Sequence, residues 1–271
     1  MVIIGEKING AIPFVAEAIR SRNNTAIQGL AVAQTEAGAA YLDICAGTNP
    51  ELEYDTLAWL LKEVQEVSSL PICIDSPDPG IILKVLPLIR APGIINSVSG
   101  EGDKCEKLFP FLSQNPAWKV IVLTCDDSGI PANSGEKTRI AFQLIKKAGE
   151  YGIVPERIFI DPLVLSLSTV NDAMLQFMEA IRKIRAVYPT IRFTSGLSNI
   201  SYGMPARGLV NRNFLTLALS VGMDSAIMDP TNRAMIETIF AAEALLGMDR
   251  FCQRYNKAYR AGTIGAPRNN F

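Results

Sequence analysis

Residues 119–164 read KVIVLTCDDSGIPANSGEKTRIAFQLIKKAGEYGIVPERIFIDPLV. Lys119–Cys125 and Ile158–Val164 are short runs rich in β-branched residues, with no polar face turned to solvent, and read as strands buried on both sides. Between them Ile140, Ala141, Leu144, Ile145 and Ala148 recur at the spacing of one helical face, and Gly152 falls where the helix needs a stop. Strand, helix, strand is the unit of a parallel sheet, whose neighbours are joined by long right-handed crossovers.

The same alternation extends in both directions at intervals of roughly 30 residues, the size of a βα unit. The strand candidates are VIIG, AYLDIC, PICIDS, GIINSVS, KVIVLTC, IFIDPLV, IRFTSG and SAIMD. A second helical face is marked by Met235, Ile239, Ala242 and Leu246; Gly38 reads as another stop, and Asn171, Asn211 and Asn232 read as N-caps. Eight units fill the 271 residues, no GxGxxG follows the first strand, and no Walker A motif occurs. These features favour a single (β/α)8 TIM barrel over a doubly wound sheet. With no Gly/Ser-rich linker, residues 1–271 are expected to be one domain.

Composition narrows the function. The chain is 48% hydrophobic and 20% charged, which supplies a sizeable core and argues against disorder. The formal net charge is -1, with basic residues spread among acidic ones. That leaves no footprint for nucleic acid or an anionic membrane, and a small molecule is the expected partner. Glu6 and Lys7 come too early for a signal peptide and no later run approaches a membrane span, so a cytoplasmic protein is expected. Cys45, Cys73, Cys105, Cys125 and Cys252 form no CxxC pair and read as free thiols. The chain has no histidine, which excludes Ser/His/Asp and Cys/His nucleophilic sites and the usual zinc-hydrolase ligands.

Active sites of such barrels form at the C-terminal ends of the strands. The tips here carry Glu6, Lys7 and Asn9; Asp43; Asp75 and Ser76; Asn96 and Ser97; Thr124 and Asp126; Asp161; Ser198 and Asn199; and Asp229. Asp and Asn after a strand often cap the next helix or close a local turn, and Asp43, Asp126 and Asp229 are assigned to that kind of support. Asp75, Asn96, Asp161 and Asn199 are assigned to ligand contact. Such a ring suits a flat, nitrogen-rich heterocycle, because carboxylates accept from ring N–H and amino groups while amides both donate and accept. A pterin and a purine both satisfy it.

GEKIN on the first strand, ICIDS on the third, IINS on the fourth, FIDPL on the sixth, and GLSN followed by NRNFL carry a further signal. In this order they resemble the methyltetrahydrofolate:corrinoid methyltransferase family along essentially the whole chain. The resemblance implies a pterin-binding barrel, homodimeric, moving a methyl group between N5 of tetrahydrofolate and the cobalt of a corrinoid (cobalamin) carried by a separate protein. It implies that Asp75, Asn96 and Asp161 hold the pterin and that Asn199 reaches N5. Gly196 and Ser198 belong to the same GLSN turn, where a Cβ at Gly196 would obstruct the ring. Arg207 matches an arginine that could approach the ring edge or the benzoyl-glutamate tail.

Two features depart from the family. Cys45 stands where many members have an amide, and SYGMPARG lacks their polar character. The rival of the same fold, dihydropteroate synthase, would need a first-strand Asn-Val-Thr-Pro-Asp-Ser-Phe loop that is not present. A Schiff-base aldolase would need a desolvated lysine at a tip, for which Lys7 is the candidate. A non-catalytic folate-binding subunit is the third alternative. The direction of transfer stays open, since the same residues serve both.

Overall fold

The computed structural model describes residues 1–266 and contains eight strands: β1 Val2–Asn9, β2 Tyr41–Cys45, β3 Ile72–Asp75, β4 Ile94–Gly100, β5 Lys119–Asp126, β6 Ile158–Asp161, β7 Arg192–Phe193 and β8 Ser225–Met228. Ten helices alternate with them: α1 Pro13–Arg20, α2 Asn24–Glu36, α3 Pro50–Val67, α4 Pro79–Val85, α5 Lys104–Gln114, α6 Ser134–Glu150, α7 Ala173–Val187, α8 Arg207–Ser220, α9 Arg233–Leu245 and α10 Gln253–Arg260. All ladders are parallel, in the order β7-β6-β5-β4-β3-β2-β1-β8. Ile227 N donates to Ser195 O (3.0 Å) and Gly196 bridges Ile227, which draws the two edges together. The expected single (β/α)8 barrel is the fold. The last five residues of the expected domain, 267–271, lie outside the described residues.

The pleat divides each strand between two cores. Leu42, Ile44, Ile72, Ile74, Ile95, Val120, Val122, Ile158 and Ile160 belong to one large cluster with the helix residues Leu57, Leu61, Ile140, Leu144 and Phe177. The alternate positions Ile4, Cys73, Ile94, Ile121 and Phe159 form a small second cluster, with Tyr41 and Ile227 packed on it. Burial on both faces is why the strands read as unbroken apolar runs. Side chains repeat every two residues, so Asp43, Asp75, Asn96 and Asp161 follow Tyr41, Cys73, Ile94 and Phe159 on that inner face, one step nearer the C-terminal mouth.

Several helix ends behave as expected. Asn232 accepts from Met235 N (3.4 Å), and Gly38 and Gly152 take φ of +89° and +73° after α2 and α6. Two caps differ. Asn211 lies inside α8, which starts one turn earlier at Arg207, and the N-cap of α7 is Asp172 rather than Asn171. Asn133, unremarked in the sequence, caps α6 by accepting from Glu136 N (2.9 Å). A Cβ on Gly93 would stand 1.9 Å from Ile72 O, so β4 approaches β3 there only because the residue has no side chain.

Candidate active site

Four inner-face residues meet at the mouth through neighbouring strands. Asp75 pairs in register with Asn96 on one side and with Cys45 on the other. The Asn96 side-chain amide donates to Asp43 Oδ1 (3.2 Å), which places Asp43 beneath Asn96 as support. Burial raises the Asp43 carboxyl well above its ordinary range, and the neighbouring Asp75 charge adds to the rise. Asp75 is raised to about 6, again chiefly by burial, while a hydrogen bond from the Cys45 thiol opposes the rise. Burial also pushes the Cys45 and Cys73 thiols upward, so both stay protonated beside Asp75 and Asp43. The Cys45 thiol therefore acts as a donor to Asp75.

Asp161, 5% exposed, ends β6 on the opposite side of the mouth. Its Oδ1 accepts from Leu163 N (2.7 Å) and its Oδ2 from Gly196 N (3.3 Å). Burial raises its carboxyl to about 6; the two amides and the Lys137 ammonium hold it from going higher. A carboxylate offers about four lone-pair sites, so acceptor capacity remains for a ligand.

After β7 the chain forms a short 3-10 helix, Leu197–Ser201, that carries Asn199 exposed and Ser198 half-buried. Arg207 grips this turn, donating from Nη2 to Ser198 O (2.8 Å) and from Nε to Ser201 Oγ (3.0 Å). It is thus bonded to the turn that holds Asn199. A Cβ on Gly196 would lie 3.1 Å from Asn199 Nδ2, so the glycine makes room for the amide itself as well as for any ring above it.

On the flank of the mouth Lys7 Nζ pairs with Asp229 Oδ2 (3.3 Å), and burial together with Asp229 raises Glu6 to about 7. Asp229 also accepts from Thr231, and Asp126 from Ser128 and Arg139, the supporting roles expected for both. A cavity of about 490 Å³ opens here between Glu6, Ser198, Arg207 and Asp229. It lies beside the Asp75, Asn96 and Asp161 ring rather than over it.

Lys137 was not singled out from the sequence, although its signal is present. It precedes Ile140 by three residues and Ala141 by four, on the apolar stripe of α6, and is 2% exposed.

The profile of the pterin binding enzyme family matches residues 13–229. The methylcorrinoid:tetrahydrofolate methyltransferase of Eubacterium limosum is 52% identical over 266 residues, covering 98% of each chain. Methionine synthase of Mycobacterium tuberculosis is 29% identical over 273 residues, 96% of this chain but 23% of that protein. Among solved structures, a dihydropteroate synthase from Coxiella burnetii in complex with pteroic acid superposes with a TM-score of 0.66 at 15% identity, covering 92% of this chain and 94% of that one, which is a likeness of fold. Matched across its barrel by the family profile and along nearly its whole length by the Eubacterium limosum enzyme, the chain belongs to the pterin-binding enzymes, in the family of the methylcorrinoid:tetrahydrofolate methyltransferases.

Proposed function

We propose that this protein is a methyltransferase of one-carbon metabolism that moves a methyl group from a methylcorrinoid, carried by a partner protein, to N5 of tetrahydrofolate. The observation that carries the reading is the 52% identity to the Eubacterium limosum enzyme along nearly the whole chain, in a barrel whose mouth holds buried carboxylates beside partly exposed amides. That relative's name also supports the direction from corrinoid to folate.

In the proposed site Asp75, Asn96 and Asp161 bind the pterin. Ionised carboxylates accept from its ring N–H and amino groups, and the Asn96 amide, already donating to Asp43, offers its oxygen. The GLSN turn, with Gly196 and Ser198, sets Asn199 at N5, and Arg207 holds the turn. The uncharged N5 amine attacks the methyl carbon in line. The new N–C bond forms as the carbon–cobalt bond breaks with its electron pair left on cobalt, and the N5 proton then departs to solvent. Asn199 orients the N5 lone pair and stabilises the charge that develops on nitrogen, a preorganised electrostatic role. The amide needs no proton of its own to give, which suits a chain without histidine.

The whole chain, 1–271, serves as one pterin-binding domain in this reading. A cytoplasmic homodimer accompanies it: among the described residues no helix is long and apolar enough to cross a membrane, and Leu245, Phe251 and Leu175 expose apolar surface of the kind a second copy could cover. Light scattering at twice the 29.5 kDa chain mass would support the dimer.

The test is to mix the protein without oxygen with methylcobalamin and tetrahydrofolate and follow the cobalt absorbance. Conversion to the reduced, demethylated corrinoid is expected, with slower or comparable reversal from methyltetrahydrofolate. Absence of transfer in both directions, with the protein's own corrinoid partner supplied and folate shown to bind by calorimetry, would leave the non-catalytic folate-binding subunit instead.

A further inference from the structure

Lys137 is a buried cation with no carboxylate at ion-pair distance among the described residues. Its Nζ donates instead to two successive carbonyls, Pro162 O and Leu163 O, both at 2.7 Å. Taking an ammonium out of water is costly unless something compensates it, and a methionine or leucine would fill this place on the apolar stripe of α6 at less cost. A lysine there calls for a reason.

The two carbonyls supply it. They belong to the turn that follows Asp161, and the amide of Leu163 in that turn donates to Asp161 Oδ1 (2.7 Å). Leu163 takes φ of +53°, a left-handed conformation that is unfavourable for a branched side chain and needs surrounding bonds to hold it. Lys137 thus grips from below the peptide units whose upper edge grips the carboxylate.

Charge points the same way. Around Asp161, its own turn presents the Leu163 amide, β7 leads into the Gly196 amide, β5 brings the apolar register partner Leu123, and α6 brings Lys137. Around Lys137 the acting groups are Asp161 and the Cys125 thiol of β5. Lys183 of α7 is directed to Ser134 Oγ (3.4 Å) at the start of α6. Lys137 is therefore the cation that opposes the burial of Asp161, while burial itself lowers the lysine to about 8.

We propose that Lys137 is a positioning residue for folate binding: it clamps the Pro162–Leu163 turn and supplies the buried positive charge that keeps Asp161 ionised to receive the pterin. The inference rests on the reading of Asp161 as a pterin-binding residue. Lysine suits the task as a compact point charge, reaching two carbonyls from one atom where a planar guanidinium would need a wider space.

The test is methyltetrahydrofolate affinity by calorimetry from pH 6 to 9 for the wild type, Lys137→Gln, Lys137→Arg and Asp161→Ala, with circular dichroism to establish folding. Glutamine retains an N–H donor for the carbonyls and removes the charge. The expected result is that Lys137→Gln moves the acid limb of the affinity profile upward by about one pH unit. With the Asp161 carboxyl starting from about 6, its Kd is then ~5-fold weaker than wild type at pH 6 and ~2-fold weaker at pH 7, and the difference is gone by pH 9. Lys137→Arg, if folded, keeps the wild-type limb. A wild-type profile in Lys137→Gln, or a loss equal at every pH, would overturn the proposal. If Lys137→Gln does not fold, an upward-shifted limb in Lys137→Arg, which retains the charge, would overturn it equally. Wild-type binding by Asp161→Ala would instead refute the pterin-binding reading of Asp161.

Discussion

Asn199 stands exposed on a turn that is held from behind, since Arg207 binds Ser198 O and Ser201 Oγ while Ser201 Oγ also reaches Ser198 O (3.2 Å). A residue so placed can meet a substrate without reorganising its support. Asn199→Ala is therefore expected to lower methyl transfer at least ~10-fold with only a small change in folate affinity, because in the proposed mechanism the amide acts on charge that develops during reaction. Asp161→Ala is expected to show the opposite split, weakening affinity more than the rate of the bound complex; steady-state kinetics beside calorimetry separates them. Gly196→Ala brings a methyl group to 3.1 Å from Asn199 Nδ2 and should lower turnover in the same manner as Asn199→Ala, with little change in melting temperature. At this scale the sequence was readable where a polar residue ends an apolar run, as at Asp75, Asn96 and Asp161. Lys137 escaped because a lone lysine in a helix is ordinarily solvated, and only the carbonyls of a distant turn reveal its role. The partners of Cys45 and Asp43 were equally hidden, since they depend on register between strands about 30 to 50 residues apart.

Periodicity carried the elements. Alternating strands and amphipathic helices announced a parallel barrel, and the helical face from Ile140 to Ala148 is buried as its spacing required. Ends were less legible. Asn211 looks like a cap yet lies within α8, because Ala206, with φ of +51°, turns the chain into the helix a turn sooner. The run IRFTSG keeps strand pairing only at Arg192–Phe193; beyond it Thr194 N still donates to Ile160 O (2.9 Å), but the chain then bends toward Ile227 and into the turn of Asn199. Close approach of backbones is likewise invisible in sequence, and Gly93 offers a test. Gly93→Ala sets a Cβ against the Ile72 carbonyl where neither strand can move freely, and should cost ~3 kcal/mol or more in denaturant unfolding. A loss under ~1 kcal/mol would mean that the two strands separate more easily than their shared core suggests.

Across the whole molecule the buried acids set stability against function. Glu6 is raised to about 7, and Asp75 and Asp161 to about 6, from ordinary values of 4.5 and 3.8. The folded chain therefore takes up protons at pH values where the unfolded chain does not, and its stability from these groups rises as pH falls from above 7 toward 4. In the proposed site folate binding runs the other way, because protonated Asp75 and Asp161 would no longer offer ionised acceptors. The ligand-free protein should melt at a higher temperature at pH 5.5 than at pH 7.5, while its folate affinity is weaker at the lower pH. Parallel trends in the two measurements would show that these carboxyls do not govern both. On the proposed reading, the barrel gives up stability at neutral pH to keep acceptors in place for a ring. A methylcorrinoid bound to its partner protein and carrying carbon-13 in its methyl group, incubated with tetrahydrofolate and this protein and observed by NMR, is expected to pass the label to the methyl on N5. Label that stays on cobalt while folate occupies the site would contradict the proposed transfer.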